Sequence, residues 1–399
     1  MIVLFHPNLV ARGGSQKYII DYFNYLRFTN KKVFLVTYNY STDCYPEIIK
    51  QKDIIFVNKI KNEFKKKVFR PYFIKILLSF FNEFILNFKL IRKISKYFDF
   101  NKIEIFFQHE LQFNFLSLKF KKSKRFLFLY DSKNKLYFFD KGKNLNVFDN
   151  FMIKILSTLS NNYFLKKFNE IFVLEEVQKK DVDKRYSINS KVIYGYYNEK
   201  KFFVKKKDFI RKKFNLPIST KIFFSLSRFS KYKKIEHIFD FIHKVNYESN
   251  VKTFTYIKSM KDDLEYQELI TSRYKDLIYP KGNIYIDFET SKNENELFDL
   301  YNSSDIFLFP SMNQTWGNAV LESIACGQIP LISDNCGISM LLIENNLGKV
   351  YKFGNIEDMY NSFLYILNNF NNFENSFVFV KNNLNFKSHI KKIENYIYV

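Results

Sequence analysis

Cysteine is scarce in this sequence, and its scarcity excludes several classes of protein. Three cysteines, Cys44, Cys326 and Cys336, are scattered through 399 residues. They are too few for a disulfide framework and indicate a reducing compartment. No cysteine and histidine spacing typical of zinc occurs either, and we predict no metal site. We therefore expect neither a secreted disulfide scaffold nor a zinc protein.

Long uninterrupted apolar runs are also missing. The N-terminus enters a predicted strand directly, without the basic and apolar regions of a signal peptide. Residues 61–96 are strongly apolar, but Lys75, Glu83 and Lys89 are among the polar residues that interrupt them too often for a transmembrane helix. No repeat of the solenoid type is found. We therefore expect a cytoplasmic protein.

Basic residues are in excess, with 63 lysines and arginines against 40 aspartates and glutamates and a formal charge of +23. Such an excess favours anionic partners such as membrane headgroups, nucleic acid or phosphorylated acceptors. Residues 61–96 interleave basic residues with an apolar face, which is typical of a helix that lies in a membrane interface. The alternative is that this helix packs on a sheet and that its composition reflects a coding bias.

The most informative segment is residues 310–337, PSMNQTWGNAVLESIACGQIPLISDNCG. The chain as a whole alternates apolar strands with helices, which predicts parallel sheets, and it is long enough for two cores. Here, two apolar runs that we predict to be buried strands, Asp305 to Phe309 and Gln328 to Ser333, enclose a loop and a helix. The helix is predicted to start at Gly317, and Gly327 is a suitable end for it.

The start of this predicted helix has the features of an anion site. Gly317 lets the backbone approach a ligand closely, and the helix N-terminus offers free N–H groups to a diphosphate. Glu322, one turn into the helix, would reach ribose hydroxyls. The segment therefore indicates a site for a nucleotide sugar, and hence an enzyme.

With these features, the segment resembles the donor-site signature of the family-four retaining glycosyltransferases (glycosyl transferases group 1), which have the GT-B fold. That signature has two glutamates separated by seven residues. Glu322 occupies the second place, which contacts the ribose, and Gln314 occupies the first, which contacts hydroxyls of the transferred sugar. Glutamine can still bond a hydroxyl but carries no charge. The resemblance implies that the backbone amides of Thr315, Trp316, Gly317 and Asn318 complete the donor site.

Residues 221–234, KIFFSLSRFSKYKK, resemble a second segment of the same family. There, an arginine and a lysine follow the first strand of the C-terminal domain and neutralise the donor diphosphate as it leaves, which assigns Arg228 and Lys233 to this role. Lys231 and Lys234 lie close by, so the identity of the functional lysine stays open. The family's glycines before the arginine and after the lysine are Ser227 and Lys234 here.

The N-terminal half carries weaker signals. A loop with Gly13 and Gly14 after the first predicted strand resembles the family's Gly-Gly loop, which faces the donor phosphates and the acceptor. The family often has a histidine after a mid-domain strand, where it contacts the donor sugar. The comparable strand here, Arg125 to Leu129, ends in Tyr130, which can donate a hydrogen bond but cannot act as an acid or base near neutral pH.

We therefore predict His109 as a site residue. It ends the strand-like run before that strand and is followed by Glu110, and such side chains at the carboxyl edge of a strand suit a ligand crevice. His6, after the first strand, is the alternative. The remaining histidines, His237, His243 and His389, are predicted to lie on helix surfaces and to have no role.

The resemblance implies a GT-B architecture, with two Rossmann-like domains facing one another across a cleft. Residues 1–203 would bind the acceptor, residues 204–385 would bind the nucleotide sugar, and residues 386–399 would form a helix that packs back on the first domain. The implied reaction is a retaining, metal-independent hexosyl transfer from a nucleotide-diphosphate sugar to a hydroxyl of a glycan. No cofactor besides this co-substrate is implied.

The apolar basic segment and the resemblance together favour a lipid-linked acceptor of the lipopolysaccharide or capsule type, and a peripheral position on the inner face of the membrane. Two alternatives stay open. One is a transferase for a soluble acceptor. The other is a non-catalytic GT-B protein that binds a nucleotide sugar or glycan, suggested by Gln314 and Tyr130 at places where the family has glutamate and histidine. Because no helix-turn-helix, zinc finger or aromatic RNA-binding motif occurs, nucleic-acid binding is not expected.

Overall fold

The computed structural model of the protein describes residues 1–60, 72–110, 115–130, 147, 151, 163–261, 263–289, 294–312 and 314–398. The chain divides into two compact units. The first unit is Met1–Ile193 together with Ile393–Val399, and the second is Tyr194–Lys392.

The division falls before Tyr194, earlier in the chain than the predicted boundary after residue 203. The reason is that the segment after Ile193 packs inside the second unit. The ring of Tyr194 stacks on Trp316 at a centroid distance of 5.5 Å, and Phe202 lies edge-on to Tyr301 at 5.6 Å. The segment is therefore part of the second core rather than a free linker.

The first unit is built on a parallel sheet of eight strands. They are β1 Ile2–Phe5, β2 Asn8–Leu9, β3 Val33–Tyr40, β4 Ile54–Lys59, β5 Ile105–His109, β6 Lys124–Leu129, β7 Glu170–Val173 and β8 Lys191–Val192. Their order is β2-β3-β1-β5-β6-β7-β8, and β4 also pairs with β3. Because β1 pairs with β3 on one side and with β5 on the other, the winding of the chain reverses between β1 and β5. Loops that follow such neighbouring strands diverge and leave a crevice for a ligand.

Three helices of the first unit are described: α1 Gly14–Phe28, α2 Tyr72–Ile94 and α3 Glu176–Tyr186. Helix α1 buries Tyr18, Tyr22 and Leu26, whose spacing of four places them on one face against the sheet. The carboxylate of Glu175 accepts the N–H of Val177 at 2.8 Å and thereby caps α3.

The second unit is built on a parallel sheet of six strands. They are β9 Lys221–Phe229, β10 Thr253–Lys261, β11 Ile284–Asp287, β12 Ile306–Phe309, β13 Ile329–Ser333 and β14 Lys349–Tyr351. The order is β11-β10-β9-β12-β13-β14, that of the dinucleotide-binding fold, with its switch point between β9 and β12. Strand β9 continues through Arg228, whereas the sequence predicts that it ends before this residue. The cause is that β9 pairs with the long strand β10 up to Phe229 and Lys261.

The helices of the second unit pack on both faces of its sheet. They are α4 Phe209–Phe214, α5 Glu236–Glu248, α6 Leu264–Arg273, α7 Glu294–Asn302, α8 Asn318–Ala325, α9 Ser339–Glu344, α10 Ile356–Asn368 and α11 Ser376–Asn383, and the last helix, α12 Phe386–Ile397, enters the first unit after Lys392. The predicted start of α7 near Ser291 lies outside the described residues. The side chain of Asp263 accepts the N–H of Tyr266 at 3.1 Å and caps α6.

His389 departs from its prediction as a helix-surface residue. It lies on α12 but is 2% exposed, with Nδ1 2.7 Å from the carbonyl oxygen of Tyr194. Burial lowers the pKa of His389 to about 3. The helical pattern therefore predicts the helix correctly, but the face that carries His389 packs against the segment that enters the second unit.

None of the helices in the described ranges combines the length and the apolar character that crossing a membrane requires.

Candidate active site

The loops after β9 and β12 meet at the carboxyl edge of the second sheet. The two strands are neighbours, with Ile306 paired to Phe223. Beyond them, the N–H of Met312 donates to the carbonyl oxygen of Tyr232 at 2.8 Å. The predicted cationic segment and the predicted donor loop are therefore in contact at the switch point of the sheet, where dinucleotide-binding folds hold their ligands.

Lys233 is the lysine that the fold brings to Gln314. Its Nζ donates a hydrogen bond to Oε1 of Gln314, and it lies 5.5 Å from the ring centroid of Phe309. Lys231 is exposed, and Lys234 pairs with Glu236 at 3.2 Å. Lys234 also adopts a φ of 50°, in the left-handed region that favours glycine. This backbone conformation explains why a glycine suits this place in proteins with the same loop.

The main chain of Gln314 is fixed by the loop after β13. Its N–H donates to the carbonyl oxygen of Asn335 at 3.1 Å, and its own carbonyl oxygen accepts the N–H of Gly337 at 2.7 Å. Because the amide of Gln314 is neutral, its bond to Lys233 does not cancel the charge of the ammonium group. A glutamate at this place would form an ion pair instead. The substitution therefore leaves more positive charge at the site.

Arg228 is exposed near the carboxyl end of β9, in register with Met260 of β10. Its guanidinium forms no hydrogen bond or ion pair with the part of the chain that the structure describes. A free guanidinium presents five N–H donors in a planar fork that suits phosphate oxygens. Arg228 and Lys233 thus provide two cations in the segment that follows the first strand of this sheet.

The start of helix α8 lies in the same loop. Gly317 is its N-cap residue, and its carbonyl oxygen accepts the N–H groups of Val320 at 2.9 Å and Leu321 at 3.2 Å. The N–H groups of Asn318 and Ala319 precede these bonds and have no acceptor within the helix. A Cβ on Gly317 would lie 3.2 to 3.3 Å from side-chain atoms of three neighbours, so the loop is closely packed there. Backbone N–H groups that could bind a diphosphate, as the sequence predicts, therefore lie at the start of α8.

Trp316 supports this loop from inside. Its indole is 3% exposed and stacks on Tyr194, and its carbonyl oxygen accepts a hydrogen bond from the thiol of Cys336 at 3.1 Å. Gly195 packs directly against it, since a Cβ there would lie 2.2 Å from the indole nitrogen. The ring is therefore part of the core. A donor contact from Trp316 would come from its backbone, and that contact stays a prediction, as does that of Thr315.

Glu322 lies half-buried in α8, and the hydroxyl of Tyr301 on α7 donates to its Oε2 at 3.0 Å. Burial and the charge of Glu322 raise the pKa of Tyr301 well above its usual value, so this hydroxyl keeps its proton. The phenol therefore orients the carboxylate as a hydrogen-bond acceptor at the end of one turn of α8. Its predicted contact with a ribose stays a prediction.

The first unit has a polar cluster at its own switch point, between β1 and β5. Ser15 at the start of α1 donates to Oε1 of Glu110 at 2.8 Å, and Nε2 of His6 lies 3.3 Å from Oγ of Ser15 and 3.4 Å from the same carboxylate oxygen. Glu110 has a φ of 70°, which costs an L-residue about 1–2 kcal/mol. The fold thus holds a carboxylate at the edge of the sheet in a strained conformation.

Hydrogen bonding decides how this cluster can act. The N–H of Asn8 donates to Nδ1 of His6 at 3.2 Å, so in neutral His6 the proton lies on Nε2. Nε2 then donates toward Ser15 and Glu110 and cannot take a proton from Ser15. The arrangement therefore does not fit a serine nucleophile activated by histidine. Instead, Ser15 and His6 both donate toward Glu110, whose carboxylate is the hydrogen-bond acceptor of the cluster.

His109 is fully buried at the end of β5, and its Nδ1 lies 2.7 Å from the hydroxyl of Tyr130. Burial, together with His6, lowers the pKa of His109 well below its usual value, so the imidazole is neutral. Burial and Glu110 raise the pKa of Tyr130 well above its usual value. The fold brings the predicted pair together as a neutral hydrogen-bonded unit beside Glu110. The contact of His109 and Tyr130 with a donor sugar stays a prediction.

Gly13 and Gly14 lie at the start of α1, with Gly13 as the N-cap residue. The first bond within the helix joins the N–H of Lys17 to the carbonyl oxygen of Gly13 at 3.0 Å, which leaves the N–H groups of Gly14 and Ser15 without an acceptor in the helix. This helix start is next to the cluster of His6, Ser15 and Glu110. In the described ranges, no group of three or more histidine, cysteine, aspartate or glutamate residues is placed to hold a metal ion.

Residues 206–378 match the sequence model of the glycosyl transferases group 1 family. The matched range lies within the second unit and contains Arg228, Lys233, Gln314 and Glu322. The second unit belongs to the glycosyl transferases group 1 family. The resemblance stated from the sequence is thereby confirmed. No curated protein sequence matches the chain significantly.

Solved structures extend the likeness in fold to the first unit. A sucrose-phosphate synthase from Thermosynechococcus elongatus is 14% identical with a TM-score of 0.72, and the match covers 99% of this chain and 97% of that one. Anabaena HepE in complex with UDP and glucose is 11% identical, with a TM-score of 0.71 and coverage of 99% and 98%. WaaG, a glycosyltransferase involved in lipopolysaccharide biosynthesis, is 13% identical, with a TM-score of 0.65 and coverage of 99% of each chain. At these identities the likeness shows the fold, and the predicted GT-B class with two parallel-sheet domains is confirmed.

Some residues that contact the candidate site residues are not found by sequence reasoning. Ser15 follows the Gly-Gly pair, but only the pairing of β1 with β5 brings it to Glu110. Tyr301 contacts Glu322 from another helix, and Gly195 contacts Trp316 from the entry to the unit. These contacts join residues far apart in the chain. The single usable signal is the His-Glu pair at the end of β5.

Proposed function

We propose that this protein is a retaining glycosyltransferase that moves a sugar from a nucleotide-diphosphate sugar to a hydroxyl of a glycan. The observation that carries the proposal is the contact of Lys233 with Gln314 beside the start of α8, at the switch point of a group 1 glycosyltransferase domain. Cations and free helix N–H groups in one loop system suit a diphosphate.

In the proposed reaction, Arg228 and Lys233 bind the diphosphate and stabilise the charge that develops on it as the bond to the sugar breaks. Gln314 bonds hydroxyls of the sugar, and Glu322, oriented by Tyr301, bonds the ribose. The acceptor hydroxyl attacks the anomeric carbon on the face that the diphosphate leaves, and its proton passes to a phosphate oxygen. Configuration is then retained without a protein nucleophile. We further propose that no metal and no cofactor besides the donor are needed.

Donor binding, measured by calorimetry, tests this proposal. A panel of UDP-, GDP- and ADP-sugars is used, starting with UDP-glucose because HepE was solved with UDP and glucose. We expect one donor to bind, and both Arg228→Ala and Glu322→Ala to weaken it about tenfold to a hundredfold, the value of hydrogen bonds to charged groups. Lys231→Ala, an exposed cation next to the site, is the matched control and should have little effect.

The control separates a specific diphosphate contact from the general positive charge of the chain. If Arg228→Ala and Lys231→Ala lose donor affinity equally, the overall positive charge of the chain, and not a specific contact with the diphosphate, accounts for binding. If the folded protein binds no donor of the panel, the transferase proposal is wrong.

We propose in addition that the acceptor is lipid-linked and that α2 contacts an anionic membrane surface. Helix α2 exposes an apolar stripe, with exposed fractions from 44% to 66%, on the face opposite to the buried Leu86 and Leu90. Such a stripe is unusual on a soluble surface, and basic residues at its end, including the exposed Lys89, suit anionic lipid headgroups. The stripe consists of Leu78, Phe81, Phe84, Ile85 and Phe88.

Sedimentation with phosphatidylcholine vesicles, with and without an anionic phospholipid, tests this contact. We expect binding that needs the anionic lipid and that falls more than tenfold in the double variant Phe81→Ser, Phe88→Ser. Val177→Ser, which removes an isolated exposed apolar side chain of the same unit, is the control. If the protein does not sediment with the vesicles, the proposed donor site is unaffected and a soluble acceptor is favoured. The likeness in fold to WaaG makes lipopolysaccharide-type glycans the first acceptors to assay.

The non-catalytic alternative has one specific observation in its favour, the glutamine at position 314. It predicts tight donor binding without release of the nucleotide when acceptor lipid is added. Release of the nucleotide that depends on acceptor and is lost in Lys233→Ala would exclude it.

A further inference from the structure

Gln314 differs from a glutamate in the direction of the hydrogen bonds that it offers at its place in the candidate donor site. Its Oε1 accepts the hydrogen bond of the Lys233 ammonium. An ammonium group can only donate, so this contact fixes the orientation of the amide, with Oε1 toward Lys233 and Nε2 on the other branch. A glutamate that paired with Lys233 would have a second carboxylate oxygen on that branch, which accepts hydrogen bonds. Gln314 has an NH₂ group there, which donates them.

The Nε2 atom of Gln314 is available to a ligand. It forms no hydrogen bond with the part of the chain that the structure describes, and it is not among the buried atoms that lack a partner. The residue is partly exposed, and its main chain is held by two hydrogen bonds to the loop after β13. The amide therefore presents its N–H donors from a fixed backbone.

The charges around Gln314 favour an anionic partner for these donors. The ammonium of Lys233 is bonded to the same amide, and the guanidinium of Arg228 lies near the carboxyl end of the neighbouring strand β9. The carboxylate of Asp334, in the loop after β13, accepts a main-chain N–H from the loop after β14 at 2.9 Å. The carboxylate of Glu322 accepts the hydrogen bond of a phenol at 3.0 Å. The amide at position 314 thus adds donors to a site that already contains two cations.

We propose that the donor sugar is acidic, a hexuronic acid whose carboxylate accepts a hydrogen bond from Nε2 of Gln314 beside the ammonium of Lys233. This inference rests on the proposed function, in which Gln314 contacts the transferred sugar, and it specifies the chemical class of that sugar. A carboxylate only accepts hydrogen bonds, and it accepts stronger ones than a neutral hydroxyl does. A glutamate at position 314 would repel the same carboxylate. The residue at this position therefore discriminates between acidic and neutral sugars.

Paired donors that differ only at C6 test this inference. The pairs are UDP-glucose with UDP-glucuronic acid, UDP-galactose with UDP-galacturonic acid, and GDP-mannose with GDP-mannuronic acid, and UDP and GDP alone measure binding of the nucleotide. Affinities are measured by calorimetry on the full chain at about 150 mM salt, which screens the overall positive charge. We expect one acid to bind at least tenfold more tightly than its neutral partner, the value of a hydrogen bond to a charged group.

Gln314→Glu should abolish or reverse this preference. The readout is the ratio of the two affinities, so any general effect of the new charge on the diphosphate cancels. Gln51→Glu is the matched control, because Gln51 is exposed in the first unit and accepts the ammonium of Lys59 at 2.9 Å. It makes the same change of charge at a similar pair and should leave the ratio unchanged.

The outcomes separate this inference from the proposed function. If UDP or GDP binds but no acid binds more tightly than its neutral partner, the inference is overturned and the proposed function stands. An unchanged preference in Gln314→Glu, or an equal change in Gln51→Glu, also overturns it, because the overall charge of the chain then accounts for the preference. If the folded chain binds neither nucleotide, the inference is overturned as well, and the wider donor panel decides whether the proposed function falls with it.

Discussion

Gly195 is the position where one added methyl group should disturb the donor loop most directly. A Cβ there would lie 2.2 Å from Nε1 and 2.5 Å from Cδ1 of Trp316, and 3.0 Å from Oδ1 of Asn318. Trp316 precedes the N-cap of α8, and Asn318 is the first residue of that helix. The indole is enclosed by Tyr194 and cannot swing into solvent. Gly195→Ala must therefore move the loop itself.

The size of the effect follows from these distances. Ordinary contacts of a Cβ begin near 3.4 Å, so the indole has to retreat by more than an ångström. Overpacking of this kind costs about 1–3 kcal/mol. For a unit of this size, Tm should fall by about 2–10 °C. A displacement of about 1 Å at the start of α8 should also lower kcat/KM for the donor by up to about a hundredfold.

Gly354→Ala is the matched control for this variant. Gly354 has a φ of 80°, so alanine there is strained, but an added Cβ meets nothing within 4 Å. It should lower Tm to a comparable extent while donor affinity stays unchanged. Thermal unfolding and calorimetry with the donor are measured on both variants. If Gly195→Ala binds donor as well as the natural chain, or if both variants lose affinity equally, the proposed support of the loop by Trp316 is refuted.

Three further predictions concern single side chains. Glu110→Gln should lower turnover with the acceptor glycan at least tenfold while donor binding is unchanged, because this carboxylate accepts the hydrogen bonds of the cluster in the first unit. An equal loss of donor binding would contradict this prediction. Lys258→Met should destabilise the second unit by about 3–5 kcal/mol in denaturant unfolding, because it leaves the buried carboxylate of Asp287 without its cation. Lys281→Met, at an exposed ion pair, should have almost no effect. The pKa of His389 is lowered from 6.5 to about 3, so between pH 6.5 and 5 the unfolded chain binds a proton that the folded chain does not, and the free energy of unfolding falls by about 2 kcal/mol. His389→Asn should remove this part of the loss of stability in acid, whereas His243→Asn, at an exposed histidine, should not.

The elements of this fold are largely predictable from the sequence because each has its own local pattern. The apolar runs at Asp305 and Gln328 are strands, and the helix between them begins and ends as its glycines indicate. Lengths are less predictable. Strand β9 runs past Arg228 because its neighbour β10 continues to Lys261, and pairing between strands is not visible in the pattern of either strand alone.

Contacts between elements are the part that the sequence does not predict. The pattern around His389 predicts a helix but not that Tyr194 covers this face of it. Three lysines near position 233 are equivalent in the sequence, and only the approach of the loop after β12 distinguishes Lys233 from its neighbours. His389 and Tyr194 are 195 residues apart in the chain, and Lys233 and Gln314 are 81 residues apart. The order of the strands decides which residues meet, and that order is a property of the folded sheet.

The two units repeat one arrangement with opposite chemistry. In each, the first strand lies beside the strand at which the winding of the chain reverses, β5 in the first unit and β12 in the second, and polar residues follow both. In the second unit, the segment after the first strand carries the cations Arg228 and Lys233, and Lys233 donates a hydrogen bond to the neutral amide of Gln314. In the first unit, the carboxylate of Glu110 follows β5, the neighbour of the first strand, and has Ser15 and His6 as its hydrogen-bond donors. An anionic leaving group suits the former environment, and a hydroxyl that is positioned by donating a hydrogen bond suits the latter. We therefore expect the diphosphate to bind the second unit and the acceptor hydroxyl to bind the first.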